Sequence, residues 1–241
     1  MIEMVRRFLR QRFGSPAMAT ALGVLALLTA IQAAVSPDAE RALATGFLSI
    51  VLIAAGSVSR DASSGALQMI LARPIRRTSY LFGRYVGILA AYGAFLVGTC
   101  GLTVMLATVL PRTFGMASGG IPAAALARGM AAALLNASLF ASILLFFSTF
   151  LRGYADVLGY ILLSIALQVV PGLARTLHKP WLATAGDELR HNVLPEVEWS
   201  EVLQGRHALA EPTGQFVLAV VIFLTLAALI FSRREFSYGR D

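Results

Sequence analysis

Few residues in this chain could carry out chemistry, and their spacing fits no common catalytic or metal-binding pattern. His178, His191 and His207 are 13 and 16 residues apart, whereas the ligands of compact metal motifs lie only a few residues apart. The single cysteine, Cys100, lies in an apolar run, which favours a small core residue over a metal ligand. The sequence also lacks a Gly-rich phosphate loop and a nucleophile elbow. We therefore predict a non-catalytic chain that holds no cofactor or metal and does not hydrolyse nucleotide by itself.

The composition indicates a membrane protein. Of 241 residues, 57% are hydrophobic and 14% are charged, and the mean hydropathy is +0.73. A soluble domain carries roughly 25% charged residues, and a spanning helix needs about 20 mostly apolar residues. The apolar runs predict an all-α membrane protein with a single domain, residues 1–241. Its six transmembrane helices are expected at 17–35, 42–59, 85–110, 129–150, 154–171 and 214–232.

The positions of the charges predict how the spans are oriented. Most of the 20 Lys and Arg residues fall in segments on the same side as the N-terminus, and most of the 13 acids fall on the other side. Because basic residues in short loops stay in the cytoplasm, both termini are predicted to be cytoplasmic, in a bacterial-type inner membrane. The net charge of +7 is then a topology signal, and no nucleic-acid partner is expected.

The N-terminal residues 1–14 are predicted to form an interfacial helix. Apolar side chains, including Phe8, share one face and arginines cluster opposite, which is typical of a helix lying on the cytoplasmic leaflet. Arg12 falls within the apolar face and is expected to reach out to the headgroups. The alternative is a basic tail that only sets the orientation of the chain.

The segment 172–213 is predicted to lie outside the membrane and to form two short helices. It contains six of the 13 acids, and helices are favoured just after Pro180 and Pro195. This segment could bind an extracytoplasmic partner protein.

The segment 60–84 joins the second and third spans and is rich in arginine. Leu67, Ile70 and Leu71 recur at the spacing of one helical face, and Pro74 ends that helix. The sequence therefore predicts a short amphipathic cytoplasmic helix. The alternative is a loop that only orients the chain and whose arginines meet anionic lipid.

The same segment continues directly into the third span. Thr78 or Ser79 can cap the next helix. Gly83 and Gly87 form a GxxxG pattern, which allows close approach to another helix.

The segment from Asp61 to Arg84 resembles a motif of the ABC-2 type permeases, the membrane subunits of ATP-driven exporters. Ala66 and Gln68 depart from the Thr and Glu common there, and Arg84 replaces a usual Lys. The likeness extends to six spans, an N-terminal interfacial helix and two external helices, where NVLPEVEWSEVLQG is similar to a Pro–aromatic–Gly pattern. The matching residues are Asp61, Gly65, Leu67, Ile70, Leu71, Pro74, Ile75, Arg77, Leu81, Gly83 and Arg84.

The resemblance implies the permease subunit of an exporter. Such a subunit is dimeric, with an identical or different second permease copy, and is driven by a separate ABC ATP-binding subunit that holds ATP and Mg²⁺. Residues 61–84 would contain a coupling helix on which that subunit docks, and Gly83 and Gly87 would serve helix packing. The implied docking residues are Asp61, Gly65, Leu67, Gln68, Ile70, Leu71, Arg73, Pro74, Arg76 and Arg77.

Two other classes stay open at this point. One is a membrane anchor or energy-transducing subunit of an ABC machine that acts on an extracytoplasmic partner at 172–213. The other is a self-contained channel or secondary carrier, which is disfavoured because the central parts of the spans contain no charged residue. Small, uncharged and aromatic residues suit a lipid-like, peptide or other amphipathic cargo, and the sequence does not name it.

Overall fold

The computed structural model describes residues 2–36, 38–44, 47–63, 67, 77–114, 121–151, 154–195, 197–205 and 210–233, and within these ranges the chain forms helices and turns without a strand. The helices are α1 (Ile2–Phe13), α2 (Pro16–Val35), α3 (Ala39–Ala44), α4 (Phe47–Ala54), α5 (Ser59–Ser63), α6 (Arg77–Phe114), α7 (Ala123–Ser148), α8 (Ala155–Thr176), α9 (Pro180–Val193), α10 (Trp199–Leu203) and α11 (Ala210–Arg233).

Six stretches of these helices are long and apolar enough to cross a membrane. This confirms the prediction of an all-helical chain with six such stretches and fits a multi-pass membrane protein. The six stretches are Pro16–Val35, Ala39–Asp61, Arg77–Val109, Ala123–Ser148, Ala155–Thr176 and Thr213–Arg233.

The second stretch differs from the single helix predicted at 42–59. It consists of α3, α4 and α5, with a turn at residues 55–58 between the last two. Gly56 has a φ of 64°, a left-handed conformation that glycine adopts without steric cost and that interrupts an α-helix.

Two other helix boundaries also differ from the prediction. Helix α6 already begins at Arg77, so Thr78 and Ser79 lie inside it and do not cap it. Helix α8 continues through Pro171 to Thr176, because a proline removes only one hydrogen bond of the ladder. A Cβ added to Gly186 would lie 2.9 Å from the Pro171 ring, so α9 packs closely on α8 at this point.

The described residues divide into two compact units, and the first comprises Met1–Ala54, Phe82–Ala141 and Glu198–His207. In this unit, buried Glu40 accepts hydrogen bonds from Nε of Arg128 at 3.1 Å and from Nε2 of Gln204 at 3.2 Å. These contacts tie α3 to α7 and to the end of α10. The apolar core beside them contains Ala33, Ala39, Ala42, Leu43, Cys100 and Leu126.

The second unit comprises Ala55–Leu81, Ser142–Val197 and Ala208–Asp241. Helices α8 and α9 form a hairpin in it, closed by the N–H of Lys179 on the carbonyl of Ala174 at 2.9 Å and the N–H of His178 on Arg175 at 3.2 Å. His178 has a φ of 55°, so it occupies the left-handed position of a Schellman turn. An Arg175–Asp187 ion pair also links the two helices.

The segment 172–213 contains α9 and α10, two short helices between the last two apolar stretches. They begin at Pro180 and Trp199. Their location outside the membrane stays a prediction.

Candidate functional site

The break in the second apolar stretch is held by a buried carboxylate. Asp156 is fully buried at the second position of α8. Its Oδ2 accepts the backbone N–H of Gly56 at 2.7 Å, and its Oδ1 accepts the N–H of Val157 at 2.9 Å. One carboxylate thus satisfies a donor of the break and a donor in the first turn of α8, where negative charge is favoured.

A serine at the end of α7 holds the rest of the break. The Oγ of buried Ser148 accepts the N–H groups of Val58 and Ser59, both at 3.1 Å. An unsatisfied backbone group in hydrocarbon costs several kcal/mol in order of magnitude, so non-helical backbone requires such partners. Side chains from α7 and α8 therefore stabilise the break.

The two chain segments that flank residues 64–76 are bonded to each other. Asp61 is 3% exposed and accepts a hydrogen bond from the hydroxyl of buried Tyr80 at 2.8 Å. This bond joins α5 to the first turn of α6. The guanidinium of Arg60 also lies over the ring of Tyr154, 5.8 Å from its centroid, which is a favourable cation–π arrangement.

The start of α6 is bonded in turn to the end of α11. The ring of Tyr80 stacks on Phe231, with centroids 5.7 Å apart, and Nη1 of Arg77 donates to the carbonyl of Ser232 at 2.9 Å. The last carbonyls of a helix lack intrahelical donors and attract cations. Arg77 thus caps α11.

These contacts follow one another along residues 56–61 and 77–80, and we call the set the junction. It brings the two ends of segment 64–76 together with α7, α8 and α11. Its carboxylates accept hydrogen bonds from backbone N–H groups and from a hydroxyl group, so their role is structural. The junction consists of Gly56, Val58, Ser59, Asp61, Arg77, Tyr80, Ser148, Asp156, Phe231 and Ser232.

The expected docking residues fall into three groups. Asp61 and Leu67 are 3% and 1% exposed, so both side chains are packed within the chain, and their part in docking stays a prediction. Arg77 is exposed but bonded to α11. The other expected docking residues lie outside the described residues: Gly65, Gln68, Ile70, Leu71, Arg73, Pro74 and Arg76.

The GxxxG glycines of α6 are both buried. A Cβ added to Gly87 would lie 3.3 Å from Cδ1 of Phe8, so Gly87 accommodates a side chain of α1. The close approach predicted here is therefore made to the N-terminal helix, and its partner is an aromatic ring.

The sequence analysis did not predict the side chains that stabilise the break at residues 55–58. Gly56, Ser57 and Ser59 interrupt an apolar run, and Asp156 is a lone acid at the start of another. A polar cluster in one span and a single acid in another indicate pairing, but the sequence does not reveal which spans meet.

Among the described residues, no group of three His, Cys, Asp or Glu side chains could hold a metal ion.

The comparisons with known proteins identify a family. No curated protein matches the chain. The family model described as "Protein of unknown function (DUF2705)" matches residues 25–184, about two thirds of the chain. This range includes the break and its partners Ser148 and Asp156. The chain belongs to the DUF2705 family.

Proposed function

We propose that this chain is the permease subunit of an ABC-2 type exporter, dimeric in the membrane and driven by a separate ATP-binding subunit that docks on segment 64–76. The observation that carries the proposal is the junction. Asp61 and Tyr80, which flank the segment, are buried and bonded to each other at 2.8 Å.

A rigid base is what a docking segment needs in order to transmit motion. A pull on segment 64–76 reaches α6 through Tyr80, and it reaches α11 through the Tyr80–Phe231 stack and the Arg77–Ser232 bond. Buried, packed contacts have discrete arrangements and pass displacement on. A solvated, flexible loop would absorb the same displacement.

The buried residues narrow the proposed docking face. Because Asp61 and Leu67 are packed within the chain, we do not include them in the proposed contact with the ATPase. The proposed contacts are then Ile70 and Leu71 at the centre of the interface, with Arg73 and Arg76 at its rim.

The break at residues 55–58 would serve as a pivot within the proposed permease subunit. The N–H groups of Gly56, Val58 and Ser59 donate hydrogen bonds to side chains of other helices. The chain direction can therefore change at this point without leaving unsatisfied backbone groups in the membrane.

The test is capture of the ATPase by the full-length chain. A nucleotide-binding protein should co-purify in mild detergent. Leu71→Asp should release it, because an unpaired charge buried in an interface costs about 3–5 kcal/mol. Arg76→Ala is the matched control and should change capture little, because a partly solvated charge contributes about 0–1 kcal/mol. A folded Leu71→Asp protein with its full complement of ATPase would refute the docking proposal.

The isolated chain provides a second check. Once purified free of partners, it should hydrolyse no ATP, since its sequence contains no phosphate loop. Robust hydrolysis by the pure chain would contradict the division of labour.

One surface supports a second candidate function, that of an anchor for an extracytoplasmic partner protein. On α9, Trp181 is 69% exposed, and Leu189 is also exposed. If this surface binds a partner, Trp181→Ala should remove a non-ATPase protein from the purified complex and leave the ATPase bound. A cleft of about 250 Å³ at the C-terminal end of the same helix is lined by Asp187, Arg190, His191 and Leu194.

A further inference from the structure

The N-terminal helix α1 has two faces of opposite character. Phe8 is buried, as is Arg12 at 3% exposure. Arg12 therefore does not reach out to the headgroups as expected from the sequence. Arg6, Arg7 and Arg10 are exposed, and none of the three forms an ion pair with another described residue.

The buried face of α1 is fixed onto α6 by one aromatic ring. The guanidinium carbons of Arg12 and Arg84 both lie 5.3 Å from the centroid of the Phe8 ring. The edge of the ring faces Gly87, where an added Cβ would be 3.3 Å away. Phe8 thus fills a slot formed by two cations and a glycine.

The end of α1 is also fixed. The N–H of Gly14 donates to the carbonyl of Arg10 at 2.8 Å, and a Cβ on Gly14 would lie only 2.3 Å from that oxygen. A residue other than glycine would force α1 to end differently. Because Pro16 begins the first apolar stretch two residues later, α1 ends close to the start of that stretch.

We propose that α1 binds anionic phospholipid headgroups through Arg6, Arg7 and Arg10, and that Phe8 couples this lipid binding to a change in α6. The arginines match the charge of an anionic leaflet, which attracts basic residues close to a span. Exposed Phe13 adds an apolar contact at the same surface. The proposal goes beyond the proposed function and does not depend on it.

The first experiment tests lipid binding in the full-length protein. A nitroxide is attached at exposed Gln11 in a Cys100→Ala background, and the protein is reconstituted in vesicles of phosphatidylcholine alone or mixed with phosphatidylglycerol. The nitroxide should enter the headgroup region only in the mixed vesicles, and less so at high salt. Equal depth in both vesicles would overturn the proposal.

Matched variants separate the effect of the positive charge of the arginines from the effect of their side-chain shape. Replacing Arg6, Arg7 and Arg10 together by Gln should abolish the difference between the two vesicles, since each arginine near an anionic surface changes the partition by about fivefold. Replacing the same three residues by Lys keeps the charge and should preserve the difference. If the Gln variant still responds to phosphatidylglycerol, the arginines are not the headgroup site.

The second experiment tests transmission through Phe8. A label at Phe82, which is 53% exposed two positions before Arg84, should change its mobility between the two vesicles. Phe8→Ala should remove this response while the label at Gln11 still responds. Phe8→Leu serves if the Ala variant does not fold. An unchanged response at position 82 in the folded variant would show that Phe8 does not carry the signal.

Discussion

The carboxylate of Asp156 accepts the backbone N–H of Gly56 at 2.7 Å, although the two residues are 100 positions apart. The bond joins the first turn of α8 to the break between α4 and α5, and its carboxylate is fully buried. A charged acceptor on a backbone donor makes one of the stronger hydrogen bonds in proteins. The shape of the second apolar stretch therefore depends on a residue of the fifth.

Asp156→Asn should destabilise the protein by about 2 kcal/mol. The amide keeps the size of the side chain but has a single oxygen for the N–H groups of Gly56 and Val157, so one donor faces an NH₂ group. Thermal unfolding in detergent measures the change. The control is Asp187→Asn, which removes the charge of a partly exposed ion pair with Arg175 and should cost under about 1 kcal/mol. Equal losses for the two variants would show that burial of Asp156 is not what matters.

Gly56→Ala should destabilise the protein by about 1–2 kcal/mol, because an alanine at a φ of 64° brings its Cβ against the following carbonyl. Gly23→Ala is the control. That glycine lies in the middle of α2 and an added Cβ would meet no atom within 4 Å. Its replacement should leave stability unchanged or raise it by about 0.5–1 kcal/mol through helix propensity. A Gly56→Ala protein as stable as the Gly23→Ala protein would argue against a left-handed break.

The Tyr80–Asp61 bond can be measured by a double-mutant cycle. Tyr80→Phe removes the hydroxyl and leaves the stack on Phe231 in place, and Asp61→Asn removes the charge of the acceptor. The two changes should show an interaction free energy of about 1–2 kcal/mol in unfolding experiments. Strictly additive losses would mean that the bond contributes nothing to the junction.

The same variants also test transmission. If the junction carries force from segment 64–76, Tyr80→Phe should lower ATP-driven activity of the assembled complex more than it lowers capture of the ATPase. Ser232→Ala is a suitable control, because its exposed hydroxyl donates only to Leu229 within its own helix. Activity that falls equally in both variants would speak against the junction.

The orientation of the chain can be read from two exposed positions. Single cysteines at Gln11 and His191, in a Cys100→Ala background, should differ in their reaction with an impermeant thiol reagent on intact cells. Only position 191 should react, because basic residues near the N-terminus keep that end in the cytoplasm. Labelling at position 11 in sealed cells would reverse the topology.

The helical class and the number of apolar stretches could be predicted from sequence because hydrophobic length is a local property. The errors in the sequence predictions arise where contacts between different helices decide the structure. The fifth span was expected to end at residue 171, but α8 continues to Thr176, and the ring of Pro171 packs on Gly186 of α9, a contact that sequence spacing does not encode. Arg12 was expected at the headgroups, but it lies over the ring of Phe8.

The junction shows most clearly which contacts could not be predicted from the sequence. The sequence around Asp61 resembled a docking motif, and two of its residues, Asp61 and Leu67, are buried within the chain. Asp61 bonds Tyr80, which lies in the same motif, but the motif did not indicate that the two side chains meet. Ser148 and Asp156 lie 90 and 100 positions from their backbone partners, so a single sequence does not reveal which residues pair.

These long separations impose an order on assembly during synthesis. When residues 55–58 leave the ribosome, Ser148 and Asp156 have not yet been made, so the acceptors of the break do not exist. Its N–H groups must then be satisfied by a provisional helix or by water, because hydrocarbon offers no acceptor. The mature shape of the second stretch can form only after α8 has emerged. Integration of this region is therefore a late event, and chains truncated before residue 156 should present it to the quality-control machinery in an immature form.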